Sequence, residues 1–200
     1  MLIVVRSYMA KLGVLTAMEK CLEEVAGKSI AEEVMQGSEQ ITENTDKITS
    51  ALWVKNAIER LDASVDGKTK IQVMENCGYN CAKRNSKVIE RAVARRKKFT
   101  CIDDFLAAEQ KKPPPGTRIA REGNIVYQTY TPQTFTRPIR CYCSLFRQLP
   151  IQETVSLTYC NCSKGFVEKY WEAILQKPTK VELLQSAISG AKECRFLIRI

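Results

Sequence analysis

Three consecutive prolines, Pro113 to Pro115, followed by Gly116, divide this chain. Proline fixes φ and has no amide donor, so neither a helix interior nor a central strand continues through such a run. The residues on its two sides follow different periods. Before it, apolar positions recur at helical spacing; after it, short runs of β-branched and aromatic residues dominate. The pattern predicts an α+β fold: N-terminal helices (1–112) packed on an antiparallel sheet with one crossing helix (117–200), together one compact domain.

In the helical part, Ser7 to Ala26 carries Met9, Leu12, Leu15, Met18 and Leu22 on one stripe and stops at Gly27. Cys21, beside that stripe, reads as structural filler. Ser29 to Met35 and Ile41 to Leu61 follow, with Trp53 as packing. Lys68 to Glu75 is read as a short helix ended by Asn76-Cys77-Gly78-Tyr79-Asn80-Cys81, a tight turn, because Gly78 and Asn80 tolerate left-handed backbone. Lys87 to Phe99 turns Ile89 and Val93 inward and Arg91, Arg95, Arg96, Lys97 and Lys98 outward; Cys101 to Gln110 is a last brief helix.

Beyond the prolines, Arg118–Arg121 and Ile125–Thr131 flank Glu122-Gly123-Asn124 as a hairpin. Pro138 to Gly165 reads as a second hairpin, turning at Gln148–Glu153, with Cys-X-Cys on each strand. Side chains two apart on a strand share a face, so symmetric pairing sets Cys141 opposite Cys162 and Cys143 opposite Cys160. A helix from Lys164 to Gln176 capped by Ser163, then strands at Lys180–Ser189 and Cys194–Ile200, complete the chain.

Nine cysteines and no histidine restrict the chemistry. The chain is neither short nor visibly secreted, so the cysteines are read as reduced in a cytoplasmic protein. No apolar run approaches the ~18 residues of a membrane span. Without histidine, Ser-His-Asp and Cys-His catalysis and His-ligated zinc or haem are excluded. Three close cysteine pairs remain, and thiolates suit soft or borderline metals. Four of Cys77, Cys81, Cys141, Cys143, Cys160 and Cys162 are the candidate metal ligands. Structural zinc is the metal expected, ahead of iron or an iron–sulfur cluster. Packed thiols, and thiol chemistry at Cys160 or Cys162 beside a helix N-terminus, stay open as alternatives. The net charge of +9 and the basic helix face admit a nucleic-acid partner, but no aromatic residues interleave the charges as a stacking platform requires.

The C-terminal residues Gly165-Phe-Val, Ile174-Leu-Gln-Lys-Pro178, Val181-Glu-Leu-Leu184, Ser186-Ala-Ile-Ser-Gly190 and Cys194-Arg-Phe-Leu-Ile-Arg-Ile200 resemble the end of the vinyl-reductase-type (4-vinyl reductase) domain. Glu182, Gly190, Cys194 and Phe196 match that family's pattern. The resemblance implies an α+β fold shared with ligand-binding domains of small-molecule sensors, a pocket between helices and sheet for a small, largely apolar molecule, and homodimers. In such a sensor-type domain Tyr142, Tyr159 and Trp171 are the candidate ligand contacts. The six-cysteine set is not part of the family's general pattern. A more distant similarity to the aminothiazoline-carboxylate hydrolases implies an enzymatic alternative, a cysteine-dependent hydrolase or reductase of a small substrate.

Overall fold

The computed structural model describes residues 13–131, 141–150 and 152–200. Among them, six helices precede the proline run: α1 (Gly13–Ala26), α2 (Lys28–Val34), α3 (Lys47–Ser64), α4 (Gly67–Arg84), α5 (Ser86–Arg96) and α6 (Ile102–Lys111). The chain then forms β1 (Thr117–Glu122), β2 (Ile125–Tyr130), α7 (Cys160–Leu175), β3 (Lys180–Gln185) and β4 (Cys194–Arg199). This is the α+β arrangement expected. Residues 7–12 of the first expected helix and 138–140 of the second expected hairpin lie outside the described residues.

Local chemistry starts the long helices. The Asp46 carboxylate accepts hydrogen bonds from the amides of Ile48 (3.0 Å) and Thr49 (2.9 Å), and Asp66 accepts from Lys68 (2.8 Å) and Thr69 (3.0 Å). Each satisfies amide donors that a helix N-terminus leaves unpaired.

The expected tight turn at 76–81 is not formed: α4 runs unbroken through it. Gly78 serves close packing instead of turning. A Cβ there would be driven into the carbonyl oxygen of Cys162 and to 2.8 Å from the amide nitrogen of Phe166 on α7. Reciprocally, a Cβ on Gly165 would strike the backbone of Glu75. The two helices cross backbone to backbone at this glycine pair, and Lys164 of α7 forms an ion pair with Glu75 of α4 beside it.

The sheet has order β1-β2-β4-β3, with every neighbouring pair antiparallel. Glu122 pairs with Ile125 around Gly123-Asn124, and Val126 and Val181 both register with Ile198. One face buries Ile119, Val126, Val181, Phe196 and Ile198 under Val167, Tyr170, Trp171 and Ile174 of α7, with Phe105 and Leu106 of α6 alongside. Gln128 is the polar member of that face, and its side-chain oxygen accepts a 2.7 Å hydrogen bond from Trp171 Nε1. The other face carries charge, including Arg199–Glu182 (2.7 Å) and Arg195 stacked 4.3 Å from the Tyr127 ring. Helices α1 to α4 form a second core with Phe146, Leu149, Val155 and Tyr159. Helix α7 contacts α4 on one side and β3 and β4 on the other, joining the two cores.

The second expected hairpin is corrected by the structure. Cys141–Pro150 forms successive turns that bury Phe146 and Leu149. Ser156 Oγ then accepts from the Thr158 amide (3.2 Å), opening a 3-10 turn at Leu157–Tyr159 that runs directly into α7. The β-propensity of this stretch is overridden because α7 gains its contact with α4 only by extending back through Cys160. On a helix, residues two apart point about 200° apart, so Cys160 and Cys162 face different surroundings. The cross-strand cysteine pairing therefore does not arise.

Candidate functional site

A cavity of about 520 Å³ lies between α1, α3, α4, the 141–150 turns and the first turn of α7. Helix α4 supplies Met74, Cys77, Cys81 and Arg84, a stripe spaced one turn at a time along one helix face. Helix α1 supplies Val14, Leu15 and Met18, and α3 supplies Val54. Cys143, Leu145 and Arg147 enter from the turns, with Tyr159 and Cys162 at the start of α7. The wall is largely hydrocarbon and sulfur, with polar groups from Thr42, Glu43, Thr45, Lys47, Ser50, Arg84, Asn85, Arg147 and Gln148.

The thiols have individual environments. Tyr159 donates its hydroxyl to Cys143 Sγ (3.2 Å) and packs its ring 4.2 Å from Phe146. Burial raises the Cys81 thiol above its usual range, although Arg84 opposes it. Burial also pushes Cys162 well up, assisted by the nearby Cys81 and Cys143 sulfurs. Both are therefore neutral thiols at pH 7. Behind the wall sits Cys21 on α1, with no exposed surface. Hydrogen bonding with Cys77 is the largest influence on it; against the opposing effect of burial, and helped by the Asn80 amide 3.1 Å away, it lowers the Cys21 thiol to about 7. The same contact with Cys21, together with burial, raises Cys77 well above its usual value.

Of the six candidate ligands, Cys77, Cys81, Cys143 and Cys162 line this cavity. Cys141 and Cys160 line a small cleft against the sheet with Tyr130, Tyr142 and Cys194, where burial raises Cys160 to about 11 and Cys141 further. Of the three aromatic candidates, Tyr159 reaches the cavity. Tyr142 packs against Tyr130 at 5.9 Å in the small cleft, and Trp171 is spent on the core and on Gln128. The roomy cavity thus lies between α1, α3, α4 and the 141–162 segment, because α7 fills the space between helices and sheet where a pocket was expected. Glu182, Gly190, Cys194 and Phe196 hold structural positions: a surface ion pair, a left-handed turn, an acceptor for the Ala187 amide (3.3 Å) and a buried ring.

Sequence reading missed Cys21, Asn80 and Arg84. Asn80 and Arg84 were legible once α4 is taken as continuous, since Cys77, Asn80, Cys81 and Arg84 stand at i, i+3, i+4 and i+7, whereas Cys21 on α1 carried no signal beyond its place beside an apolar stripe. The basic face of α5 is also partly structural. Arg95 pairs with the buried Glu109 (2.8 Å), and Arg96 donates to the Phe99 carbonyl (2.7 Å).

Residues 14–200 match DUF6144, a family of unknown function. The chain belongs to this family. No curated protein matches this DUF6144 chain. Among solved structures it is similar to an H-NOX domain from Shewanella oneidensis in its Fe(II)CO state, at 15% identity and TM-score 0.48, covering 96% of this chain and 98% of that one. It is likewise similar to an H-NOX protein from S. oneidensis in its Fe(II)NO state, at 11% identity and TM-score 0.44, covering 94% and 97%.

The expectation of zinc is overturned. Among the described residues no group of three or more Cys, Asp or Glu is placed to hold a metal ion. The physical reason is dispersal: zinc gathers four sulfurs at ~2.3 Å around one point, whereas here the thiols are spread around an open volume and bond to neighbours of their own. Among the described residues no helix is long and apolar enough to cross a membrane.

Proposed function

We propose that this DUF6144 chain is a small-molecule-binding, sensor-type domain whose site is the thiol-walled cavity. The observation that carries the reading is the cavity itself: about 520 Å³, within the ~300–1,000 Å³ of small-molecule sites, with hydrocarbon and sulfur over most of its wall and polar side chains among them. The ligand class that fits is an apolar body with one acidic group. Hydrocarbon from Val14, Leu15, Met18, Val54 and Met74 takes the body, and Arg84 of the same lining takes the acid in a charge-assisted hydrogen bond.

The test uses 8-anilinonaphthalene-1-sulfonate, an apolar ring system bearing one anion. Fluorescence titration of the full chain gives saturable, one-to-one binding. Leu145→Trp, which fills the cavity from a partly exposed turn, and Arg84→Gln, which removes the cation, each weaken it about tenfold, a loss near 1.4 kcal/mol. Non-saturable binding, or binding indifferent to Leu145→Trp, refutes the proposal.

A further inference from the structure

We propose that the exposed ridge of α5 is a docking surface for the phosphate backbone of double-stranded DNA. Between residues 83 and 98 the chain carries eight Lys and Arg and one acid, Glu90. Helix α5 buries Ala92 and half-buries Ile89 and Arg96. At about 100° per residue its opposite side presents Lys87, Arg91 and Ala94, with Lys98 one turn further on, and all four are exposed. The Lys97 and Lys98 amides still bond the Val93 and Arg95 carbonyls (3.0 and 3.1 Å), so the last turn continues the ridge. On α1, α2, α3 and α7 a cation pairs with an acid three or four residues on: Lys20 with Glu24, Lys28 with Glu32, Lys55 with Glu59 and Lys169 with Glu172. On α5 it is Arg95 that forms an ion pair, with Glu109 of α6. Among the described residues Lys87, Arg91, Lys97 and Lys98 form none.

This arrangement is unfavourable in the free protein. Lys87 and Arg91 stand at i and i+4, where like charges destabilise a helix about as much as opposite charges support it. Lys87 also lies in the first turn, at the positive end of the helix dipole. That turn holds no acid and no side-chain cap, and Asn85, which precedes it, turns its side-chain amide to the Cys81 carbonyl (2.8 Å). A row of anions on a stiff partner relieves both conflicts, meeting the side chains along the ridge and the amides at its start. The composition selects among anionic partners. A protein interface is anchored by buried aromatic or Arg hot spots, lipid insertion uses a large apolar face, and single strands are held on stacking aromatics. The ridge offers Ala94 and, beside it, the single exposed Val88. Nor does it offer an acceptor to the 2′-hydroxyls by which RNA duplexes are recognised. Cations in a row with little else fit the sequence-independent contact in which Lys and Arg displace counterions from duplex phosphates.

The experiment titrates a fluorescently labelled DNA duplex of about 20 base pairs with the full chain and reads anisotropy at several salt concentrations. Contacts from Lys87, Arg91 and Lys98 give a slope of log affinity on log salt near −3, so binding weakens roughly a hundredfold between about 20 and 100 mM salt. Lys87→Gln/Arg91→Gln brings the slope to about −1 and weakens binding at low salt at least tenfold. Its melting temperature stays level or rises, because a repulsive pair is gone. Lys177→Gln/Lys180→Gln removes the same charge from exposed positions off the ridge and leaves affinity and slope as in wild type. Lys98→Gln, beyond the last residue of α5, lowers the slope by about one and carries the test if the ridge double variant fails to fold. No binding at about 20 mM salt, binding indifferent to salt, or equal losses in the two double variants overturns the proposal. So does tighter binding to an RNA duplex, or to phosphatidylserine-containing vesicles, than to the DNA duplex.

Discussion

Replacing Gly78 by alanine tests the crossing of α4 and α7 on which the cavity depends. In an exposed helix interior, alanine is better than glycine by about 0.8–1.0 kcal/mol, so propensity alone raises stability. The added Cβ here meets the Cys162 carbonyl oxygen, the Phe166 amide nitrogen and Gly165, all backbone atoms of α7. Backbone cannot rotate aside as a long side chain can, so the helices must separate. Overpacking costs about 1–3 kcal/mol, occasionally more, and a backbone clash belongs at the upper end. The net is a loss of about 2 kcal/mol. For a chain of this length that lowers the melting temperature by roughly 4–8 °C. Gly67→Ala, where nothing lies within 4 Å of the new methyl, is the control and gains up to about 1 kcal/mol. Urea denaturation followed by tryptophan fluorescence measures all three proteins. Gly78→Ala melting at or above wild type would mean that the helices tolerate separation, and the reasoning would fail. Gly165→Ala behaves like Gly78→Ala, and the double variant costs less than the sum, because both act on one contact.

Trp171→Phe strands the buried Gln128 side chain, whose oxygen accepts the Trp171 Nε1–H; the expected cost of about 1–3 kcal/mol is read by chemical denaturation, with Gln128→Leu in the same background recovering part of it. Asp62 gives a pH-dependent prediction. Burial alone would raise its carboxyl, but hydrogen bonds from Ser156 and Thr158 and the Lys70 ammonium at 2.9 Å outweigh it and hold it below 3.8. A depressed carboxyl contributes stability that is present above its unfolded value and is lost as pH falls through its folded value. The melting-temperature advantage of wild type over Asp62→Asn should therefore hold at neutral pH and shrink below about pH 4; an advantage independent of pH would refute the assignment.

The division of the chain at Pro113–Pro115 was legible because proline imposes a local rule that no tertiary contact overturns. The first hairpin, with Gly123-Asn124 between β1 and β2, was legible for the same reason. Gly78 and the 157–162 stretch misled in one way. Each obeys a local preference, for turn or strand, that the α4–α7 contact overrides. A glycine that turns the chain and a glycine that admits another helix look identical until its partner, Gly165, is known to be opposite. Reading the 77–81 segment as a turn also hid the stripe of Met74, Cys77, Cys81 and Arg84. All four cavity cysteines were thereby assigned to elements that do not form, Cys77 and Cys81 to a turn and Cys143 and Cys162 to a hairpin. Clustering itself was readable from cysteine count and spacing; its purpose was not, since neutral packed thiols and metal-bound thiolates share one sequence.

Two helices that touch at one point diverge on either side of it, and the space they leave must be filled by large side chains or remain open. On the cavity side of the Gly78–Gly165 crossing, α4 and α7 present cysteine at 77, 81 and 162, with two side-chain heavy atoms each, where core positions elsewhere carry leucine, isoleucine or phenylalanine. Small residues here keep the volume open. Cys81→Leu distinguishes an open wall from a packed one. Leucine adds two heavy atoms directed into the cavity; if that space is empty, the variant gains dispersion contacts and apolar burial at no steric cost, and its melting temperature stays level or rises. The sulfonate dye, competing for the same volume, binds about tenfold more weakly, near 1.4 kcal/mol. If position 81 is instead close-packed, overpacking lowers stability by about 1–3 kcal/mol. A cooler melt with dye binding intact would show that the cysteines fill a core and do not line a site.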